Sequence, residues 1–240
     1  MKRRTEKRRA DDMSIFQHLD ELRQRLIKAI LALLIGVVVG TFVTPSVLKM
    51  LVAPLGDQLP LAISPTEAPA VFFKVAVIIG VVIAMPVIMY QTFQFVRPGL
   101  MSQEKRYMII GAPAVSVSFA AGVAFAATVL LPAALPFLQN FLRGIVEQRY
   151  SIDRYISFVS NLVFWAGLVF ETPLVMFFLA KLGVVTPQGF ASARRIVIIG
   201  AAAGAAIITP TTDPINMLLV MVPFMVLYEL GILLARLATR

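Results

Sequence analysis

Apolar residues dominate six long stretches of this chain, and short polar or proline-containing segments separate them. Most of these stretches have the roughly 20 residues that a helix needs to cross the hydrocarbon core of a bilayer. The pattern predicts spans at about 26–44, 71–95, 107–131, 156–182, 196–209 and 215–234. We therefore expect an all-α polytopic membrane protein in which residues 1–240 form a single transmembrane domain.

The segment before the first span differs from the rest of the chain in its charge. Residues 1–13 are rich in Lys and Arg and are expected to be disordered. Residues 14–28 show the pattern of an amphipathic helix. Its apolar positions recur at helical spacing: Ile15, Leu19, Leu22 and Leu26. We expect this helix to lie on the cytoplasmic membrane surface and then to turn into the first span. A cleaved signal peptide is disfavoured because the apolar run that follows is a full span.

The connections between the spans predict further features. Five prolines between residues 45 and 69 predict a structured cap without another long helix. Residues 132–155 are expected to lie outside the membrane. Residues 183–195 are expected to form a loop in which Thr186 and Pro187 cap and start the fifth helix. The fifth span has about 14 apolar residues, or roughly 21 Å of helical rise, against a hydrocarbon core of about 30 Å. We therefore expect the fifth and sixth helices to be short.

Composition supports a membrane location and removes several classes of function. The chain is 59% hydrophobic and 15% charged, with a mean hydropathy of +0.85, whereas soluble domains are about 45–50% apolar and about 25% charged. It has no cysteine and a single histidine, His18, which excludes thiolate or histidine-rich metal sites and an intramembrane Ser/His dyad. No phosphate-binding or metal motif is present, so we expect neither an enzyme nor a cofactor. The net charge of +9 fits basic cytoplasmic loops and does not require nucleic acid as a partner.

The distribution of positive charge orients the chain. With six spans, both termini lie on the same side of the membrane. Of the 22 Lys and Arg residues, those on the opposite side are Lys49, Lys74, Arg143, Arg149 and Arg154. Because cytoplasmic loops carry the excess of Lys and Arg, we expect the N- and C-termini to be cytoplasmic.

The sequence Phe170-Glu171-Thr172-Pro173 places a carboxylate and a helix defect together in the fourth span. A carboxylate at membrane depth costs roughly 2.5–3.5 kcal/mol on insertion scales. Pro173 removes a backbone donor, so a carbonyl one turn earlier loses its partner. Such a pair normally faces protein or a wet cavity rather than lipid. From the residues alone, Glu171 is either part of an internal ion pair or polar plug, or a contact for a ligand or a partner.

Other polar and small residues stay ambiguous when they are taken alone. Glu21 and Glu104 either converge on a cationic ligand through charge-assisted hydrogen bonds or are solvated charges that flank the spans. Asp213 fits a turn residue that caps the sixth helix. Gly200 and Gly204 give the fifth span a small-residue face, which permits close approach of a helix from the protein itself or from a partner.

Several motifs together resemble the TatC family, the multispanning receptors of the twin-arginine protein translocase. They are His18-Leu-Asp-Glu-Leu-Arg-Gln-Arg25, Phe95-Val-Arg-Pro-Gly-Leu100 with Glu104-Lys-Arg106, Ser157-Phe158, Phe170-Glu-Thr-Pro173, and Thr209-Pro210 with Asp213. The resemblance covers nearly the whole chain and agrees with six spans and cytoplasmic termini. It implies that the six helices form a concave bundle.

The resemblance also implies a function. The chain would be a core receptor subunit in the bacterial cytoplasmic (inner) membrane that binds the Arg-Arg signal peptides of folded cargo at its cytoplasmic face. Glu21 and Glu104 would receive the two arginines. The residues that shape the site would be Arg23, Phe95, Pro98 and Leu100. The implied partners are single-span proteins of the TatA/TatB type, other copies of the chain and the lipid bilayer.

Within the membrane, the resemblance implies that Glu171, beside Pro173, is exposed to the cavity of the concave face. Signal-peptide or partner helices would reach it there, and partners would dock on the fifth and sixth helices. Pro54 would belong to the extracytoplasmic cap. The last turn departs from the family, because Thr209 and Asp213 are one residue farther apart than in the expected Thr-Pro-Pro-Asp. Asn216-Met217 stands where Ser-Gln is common, so Thr209 or Asn216 would have to supply the polar docking contact.

The alternative function is a proton-coupled carrier that uses Glu171 as its titrating group. Carriers usually contain an internal repeat with interrupted helices at corresponding positions. The first and second three spans of this chain show no convincing similarity. Proton flux into liposomes would distinguish the carrier from the receptor.

Overall fold

A computed structural model of the chain describes residues 15–56, 58–96, 104–142, 144–145, 149–208 and 214–239. These residues are almost entirely helical, and the only extended pairing among them is an isolated bridge between Leu61 and Ser151. Within the described ranges, six stretches are long and apolar enough to cross a membrane: Gln17–Leu55, Glu67–Thr92, Pro113–Asn140, Ile152–Lys181, Pro187–Ile207 and Pro214–Ala238. The all-α, six-span architecture is therefore confirmed, whereas the basic tail at 1–13 lies outside the described residues.

The first helix, α1, runs without interruption from Ile15 to Val52 and contains Pro45. The expected turn between a surface helix at 14–28 and a span at 26–44 is therefore wrong. Residues 15–35 contain no Gly or Pro, and their many Leu, Ala, Lys and Arg residues are good helix formers. At 1.5 Å per residue, α1 is roughly 57 Å long. Because this exceeds a hydrocarbon core of about 30 Å, its charged first turns must extend into water.

Helix α2 (Glu67–Val96) packs antiparallel to α1 through glycines on both helices. A methyl group at Gly36 would lie 2.5 Å from the carbonyl oxygen of Gly80, and one at Gly40 would lie 2.6 Å from that of Ala76. Such contacts require small residues because the two backbones touch. This crossing fixes the register of the pair and brings the start of α1 to the end of α2.

The third span combines α3 (Glu104–Phe125), a π-helical turn (Ala126–Leu130) and α4 (Leu131–Asn140). We expected this helix to end near residue 131, where the prolines begin, but it continues to Asn140. The π turn places Pro132 in the first turn of α4. Proline is tolerated in the first turn of a helix, because its missing N–H breaks no hydrogen bond within that helix.

The fourth span is divided into α5 (Ile152–Phe170) and α6 (Thr172–Lys181), with Glu171 as the single residue between them. Pro173 lies in the first turn of α6, so the predicted helix defect is confirmed. The third and fourth spans touch closely here, because a methyl group at Gly122 would lie 2.6 Å from the carbonyl oxygen of Ala166.

The connection from α1 to α2 contains no further long helix among its described residues, as its prolines predict. Pro54 lies in a short 3-10 turn, Ala53–Leu55. Leu61 is joined to the start of α5: its N–H donates to the carbonyl of Tyr150 (2.9 Å), and its carbonyl accepts from the N–H of Ile152 (2.8 Å). These bonds tie the connection to the fourth span as a cap at this end of the bundle.

The last two helices, α7 (Pro187–Ile208) and α8 (Pro214–Ala238), form a hairpin. The predicted start of α7 is confirmed, since the N–H of Gly189 donates to Thr186 Oγ1 at 3.1 Å. Residues 187–195, which we expected in a loop, are helical, so α7 has 22 residues although only its second part is strongly apolar. Arg194 on α7 donates two hydrogen bonds to the carboxylate of Glu229 on α8, at 2.6 and 2.8 Å.

Candidate functional site

The start of α1 and the end of α2 meet at one end of the bundle. The imidazole of His18 stacks on the ring of Phe95, with 4.4 Å between the ring centroids and 24° between the planes. His18, Glu21 and Arg25 follow one another at spacings of three and four residues, so they share the face of α1 that turns towards α2. Glu21 therefore lies about one turn along α1 from His18, the residue that contacts the predicted site residue Phe95.

Glu21 is well covered for a charged residue near a helix start. Its side chain is 16% exposed, and that of Arg25 is 21% exposed. Arg25 Nε donates to Glu21 Oε1 at 2.9 Å, and Arg25 Nη2 contacts the same oxygen. Glu21 Oε2 is buried and has no hydrogen-bond partner in the part of the chain that the structure describes. Among the described residues, Arg25 therefore uses only one of the two oxygens of this carboxylate.

The other residues of the predicted peptide site are described to different extents. Arg23 is exposed on α1. Glu104 is the first residue of α3, and because α2 and α3 are consecutive packed helices, its backbone lies at the same end of the bundle as Phe95. The side chain of Glu104, together with Pro98 and Leu100, lies outside the described residues. The convergence of Glu21 and Glu104 thus stays a prediction.

Glu171 lies at the break in the fourth span and is 8% exposed. Its Oε1 atom is buried without a hydrogen-bond partner among the described residues. The expectation that Glu171 is exposed to an open cavity is therefore wrong for this single chain. Helix α8 covers this region, since a methyl group at Gly231 would lie 3.3 Å from Pro173 Cα and 2.4 Å from Met176 Sδ.

Two residues of α3 that the sequence analysis did not single out support the break. Ser118 Oγ donates to the carbonyl of Phe170 at 2.6 Å, which supplies a donor at the point where the backbone ladder is interrupted. Phe119 is 1% exposed, and its ring lies against Gly167 one turn before the break. The sequence carried no signal for this role, because both contacts join residues of two different spans.

The predicted partner surface is described in part. Asn216 is 3% exposed in the first turns of α8, whereas Thr209 and Asp213 lie outside the described residues. A methyl group at Gly200 or Gly204 would meet nothing within 4 Å. No described residue therefore packs against these two positions of α7 in the single chain.

A second polar cluster joins α2 to α5 near the cap. Lys74 Nζ donates to Asp153 Oδ1 and to Ser157 Oγ, in each case at 2.7 Å. An apolar cavity of about 320 Å³ lies between the first four spans, and Ser160 is the one polar side chain in its described lining. The cluster holds two helices together, and no predicted site residue lines the cavity.

Six helices that are long and apolar enough to cross a membrane, within the described residues, define a multi-pass α-helical membrane protein. The sequence profile of the family described as Sec-independent protein translocase protein (TatC) matches residues 17–223. The chain belongs to the TatC family.

Individual relatives agree with this assignment. The TatC protein of Synechocystis sp. is 40% identical over 224 residues, 92% of this chain and 87% of that protein. The TatC protein of Aquifex aeolicus is 39% identical over 234 residues, 95% of this chain and 97% of that protein. The chloroplastic TATC protein of Pisum sativum is 37% identical over 235 residues; these cover 95% of this chain but 65% of the pea protein.

A solved structure supports the fold. A crystal structure described as the twin-arginine translocase receptor TatC matches with a TM-score of 0.81 at 39% identity and covers 93% of this chain and all of that one. The relatives are named as translocase proteins. The protein is accordingly a transport component of the membrane rather than an enzyme, as the sequence predicted.

Proposed function

We propose that this protein is the signal-peptide receptor subunit of a twin-arginine translocase and binds the Arg-Arg pair of folded cargo at the end of the bundle where α1 begins. The observation that carries the proposal is Glu21, whose side chain is 16% exposed and whose Oε2 has no partner among the described residues. The stacked rings of His18 and Phe95 lie about one turn of α1 away from it. The name of the related crystal structure supports the same class of function.

The chemistry of arginine suits this carboxylate. A guanidinium offers five N–H donors in a fixed planar fork and pairs with a carboxylate through two parallel hydrogen bonds. An ammonium is a compact point charge that is more strongly hydrated, so it loses more hydration free energy on entering a partly buried site. A site built around Glu21, with Glu104 as the second acceptor, would therefore select Arg-Arg over Lys-Lys.

The first prediction concerns peptide affinity. We expect Glu21→Ala and Glu104→Ala each to weaken binding of a twin-arginine signal peptide to the purified protein by about tenfold or more, since each removes a charge-assisted hydrogen bond. Asp20→Ala removes an exposed carboxylate next to Glu21 in the sequence and is the matched control. A Lys-Lys peptide should bind weakly to the unaltered protein. Equal affinity of all three variants, or of the two peptides, would contradict the proposal.

We further propose that single-span partners of the TatA/TatB type dock on α7 and α8. The uncovered faces at Gly200 and Gly204 support this, because small residues let a foreign helix approach the backbone closely. Asn216 on α8 is 3% exposed in the single chain, so it would provide the polar contact only after its neighbours rearrange. Other copies of the chain and the surrounding lipid are the remaining partners that we propose.

The docking proposal predicts a position-specific cross-link. The chain contains no cysteine, so a single Gly204→Cys change introduces one reactive thiol. We expect it to form a disulfide with a cysteine placed in the membrane helix of a TatA/TatB-type partner. Ile83→Cys, at a residue on α2 that is 43% exposed, is the control and should not react. Equal cross-linking at both positions would indicate random collision rather than docking.

We propose a location in the bacterial cytoplasmic membrane, and the distribution of Lys and Arg supports an orientation with both termini in the cytoplasm. A membrane-impermeant maleimide added to intact cells should then label Ala62→Cys in the α1–α2 connection and leave Thr239→Cys at the end of α8 unlabelled. The reverse pattern would place the termini outside the cytoplasm.

A further inference from the structure

Arg25 occupies one of the two oxygens that Glu21 offers. Its Nε donates to Glu21 Oε1 at 2.9 Å, and its Nη2 contacts the same oxygen, while Glu21 Oε2 stays without a partner among the described residues. Both side chains are mostly covered, at 21% and 16% exposure. The pair is therefore held against the protein and differs from an exposed ion pair, in which water would satisfy the second oxygen.

This geometry is incompatible with simultaneous two-bond recognition of a second arginine. A guanidinium that binds a carboxylate in the fork geometry uses both oxygens. The two contacts from Arg25 fill both acceptor sites of Oε1, so an incoming arginine finds only Oε2, and two positive groups on one carboxylate would repel each other. Full engagement of the ligand therefore requires that Arg25 release Oε1.

We propose that Arg25 is an internal substitute for a signal-peptide arginine: it neutralises Glu21 in the empty receptor and is displaced when the peptide binds. This inference rests on the proposed function of Glu21. The exchange replaces one guanidinium by another, so the covered carboxylate is never left without a counter-charge. The long stem of Arg25 lets its head group reach water after displacement.

The exchange makes Arg25 a determinant of affinity. Peptide binding must break the pair of Arg25 and Glu21, so the free energy of that pair weakens peptide binding by the same amount. A lysine ligand would have to displace a forked donor with a single ammonium, which offers poorer geometry for the same carboxylate. The cost of breaking the Arg25–Glu21 pair is the same for both peptides, so Arg25 lowers the affinity for each, and the preference for arginine comes from the ligand's own pair with Glu21.

The test measures the affinity of the full-length protein for an Arg-Arg signal peptide. Arg25→Gln should bind it about twofold more tightly, as expected when a competing helical ion pair is removed. Lys28→Gln removes the same charge from an exposed position one turn away and is the matched control. Arg25→Lys, which keeps the charge but not the fork, should give a smaller change in the same direction and serves if Arg25→Gln does not fold.

A double change separates competition from a general effect of charge. In a Glu21→Ala background, Arg25→Gln should no longer tighten binding, because there is no carboxylate left to release. Tightening that equals that of Lys28→Gln, or weaker binding by Arg25→Gln, would overturn the inference while Glu21→Ala still reports on the proposed function. If Glu21→Ala binds normally, the proposed function itself fails.

Discussion

We expect Phe119→Ala to lower the free energy of unfolding by about 3 kcal/mol, the lower end of the range for a buried phenylalanine. Phe119 is 1% exposed, and its ring lies against Gly167 between the third and fourth spans. The lower end applies because detergent or lipid keeps apolar side chains out of water even after unfolding, so the loss is mainly one of packing. Denaturant or thermal unfolding of the purified protein measures the change.

Gly167→Ala tests the same contact from the opposite helix. Its methyl group would lie 2.6 Å from Phe119 Cε2, so we expect a loss of about 1–3 kcal/mol from overpacking. In the double variant the methyl group enters the space that the ring has left, and the second change should cost less, with a coupling energy of about 1 kcal/mol or more. Phe73→Ala, at a residue that is 60% exposed, is the control. Strictly additive effects would show that the ring and the glycine do not share this contact.

The number of spans and the break in the fourth were predictable because both depend on local sequence. A run of apolar residues must be helical and buried in lipid or protein, whatever its neighbours are. Pro173 lacks an N–H wherever it lies, so a defect beside Glu171 followed from the residue itself. Thr186 and Pro187 likewise marked the start of α7 by their own chemistry.

The predicted helix ends were wrong where a change in polarity or a proline was outweighed by the helical structure of the neighbouring residues. The change from polar to apolar residues near Lys28 suggested a turn, yet helix propensity continues through it and α1 stays intact. Pro132 suggested the end of a span, but a π turn shifted it into a first turn, where proline is harmless. A preference for helix is thus easier to read from sequence than the exact end of one.

The geometry of the candidate site depended on tertiary packing and could not be read from spacing. Glu21 and Phe95 are far apart in sequence and were grouped only by the family resemblance. They come together because glycines such as Gly36 and Gly80 set the register of α1 against α2. The support of the break by Ser118 was equally hidden, since it joins residues from two spans.

We expect Glu171→Leu to raise the free energy of unfolding by about 1–3 kcal/mol, because it removes a buried acceptor that has no partner among the described residues. We expect the same variant to lose export of a twin-arginine reporter in cells that lack their own receptor. An ionisable residue that lies within a membrane span at a cost in stability is expected to have a functional role. We propose that this role is a contact with a signal-peptide or partner helix, as the family resemblance implies.

Ser160→Ala is the matched control for this prediction. Ser160 is 7% exposed, and its hydroxyl also lacks a partner among the described residues. Its replacement should raise stability slightly and leave export intact, which separates the removal of a buried polar group from the loss of Glu171. Export at the normal level with Glu171→Leu would show that export does not require Glu171. Proton flux through liposomes that disappears in Glu171→Leu would instead favour the carrier, because only a titrating carboxylate gives that result.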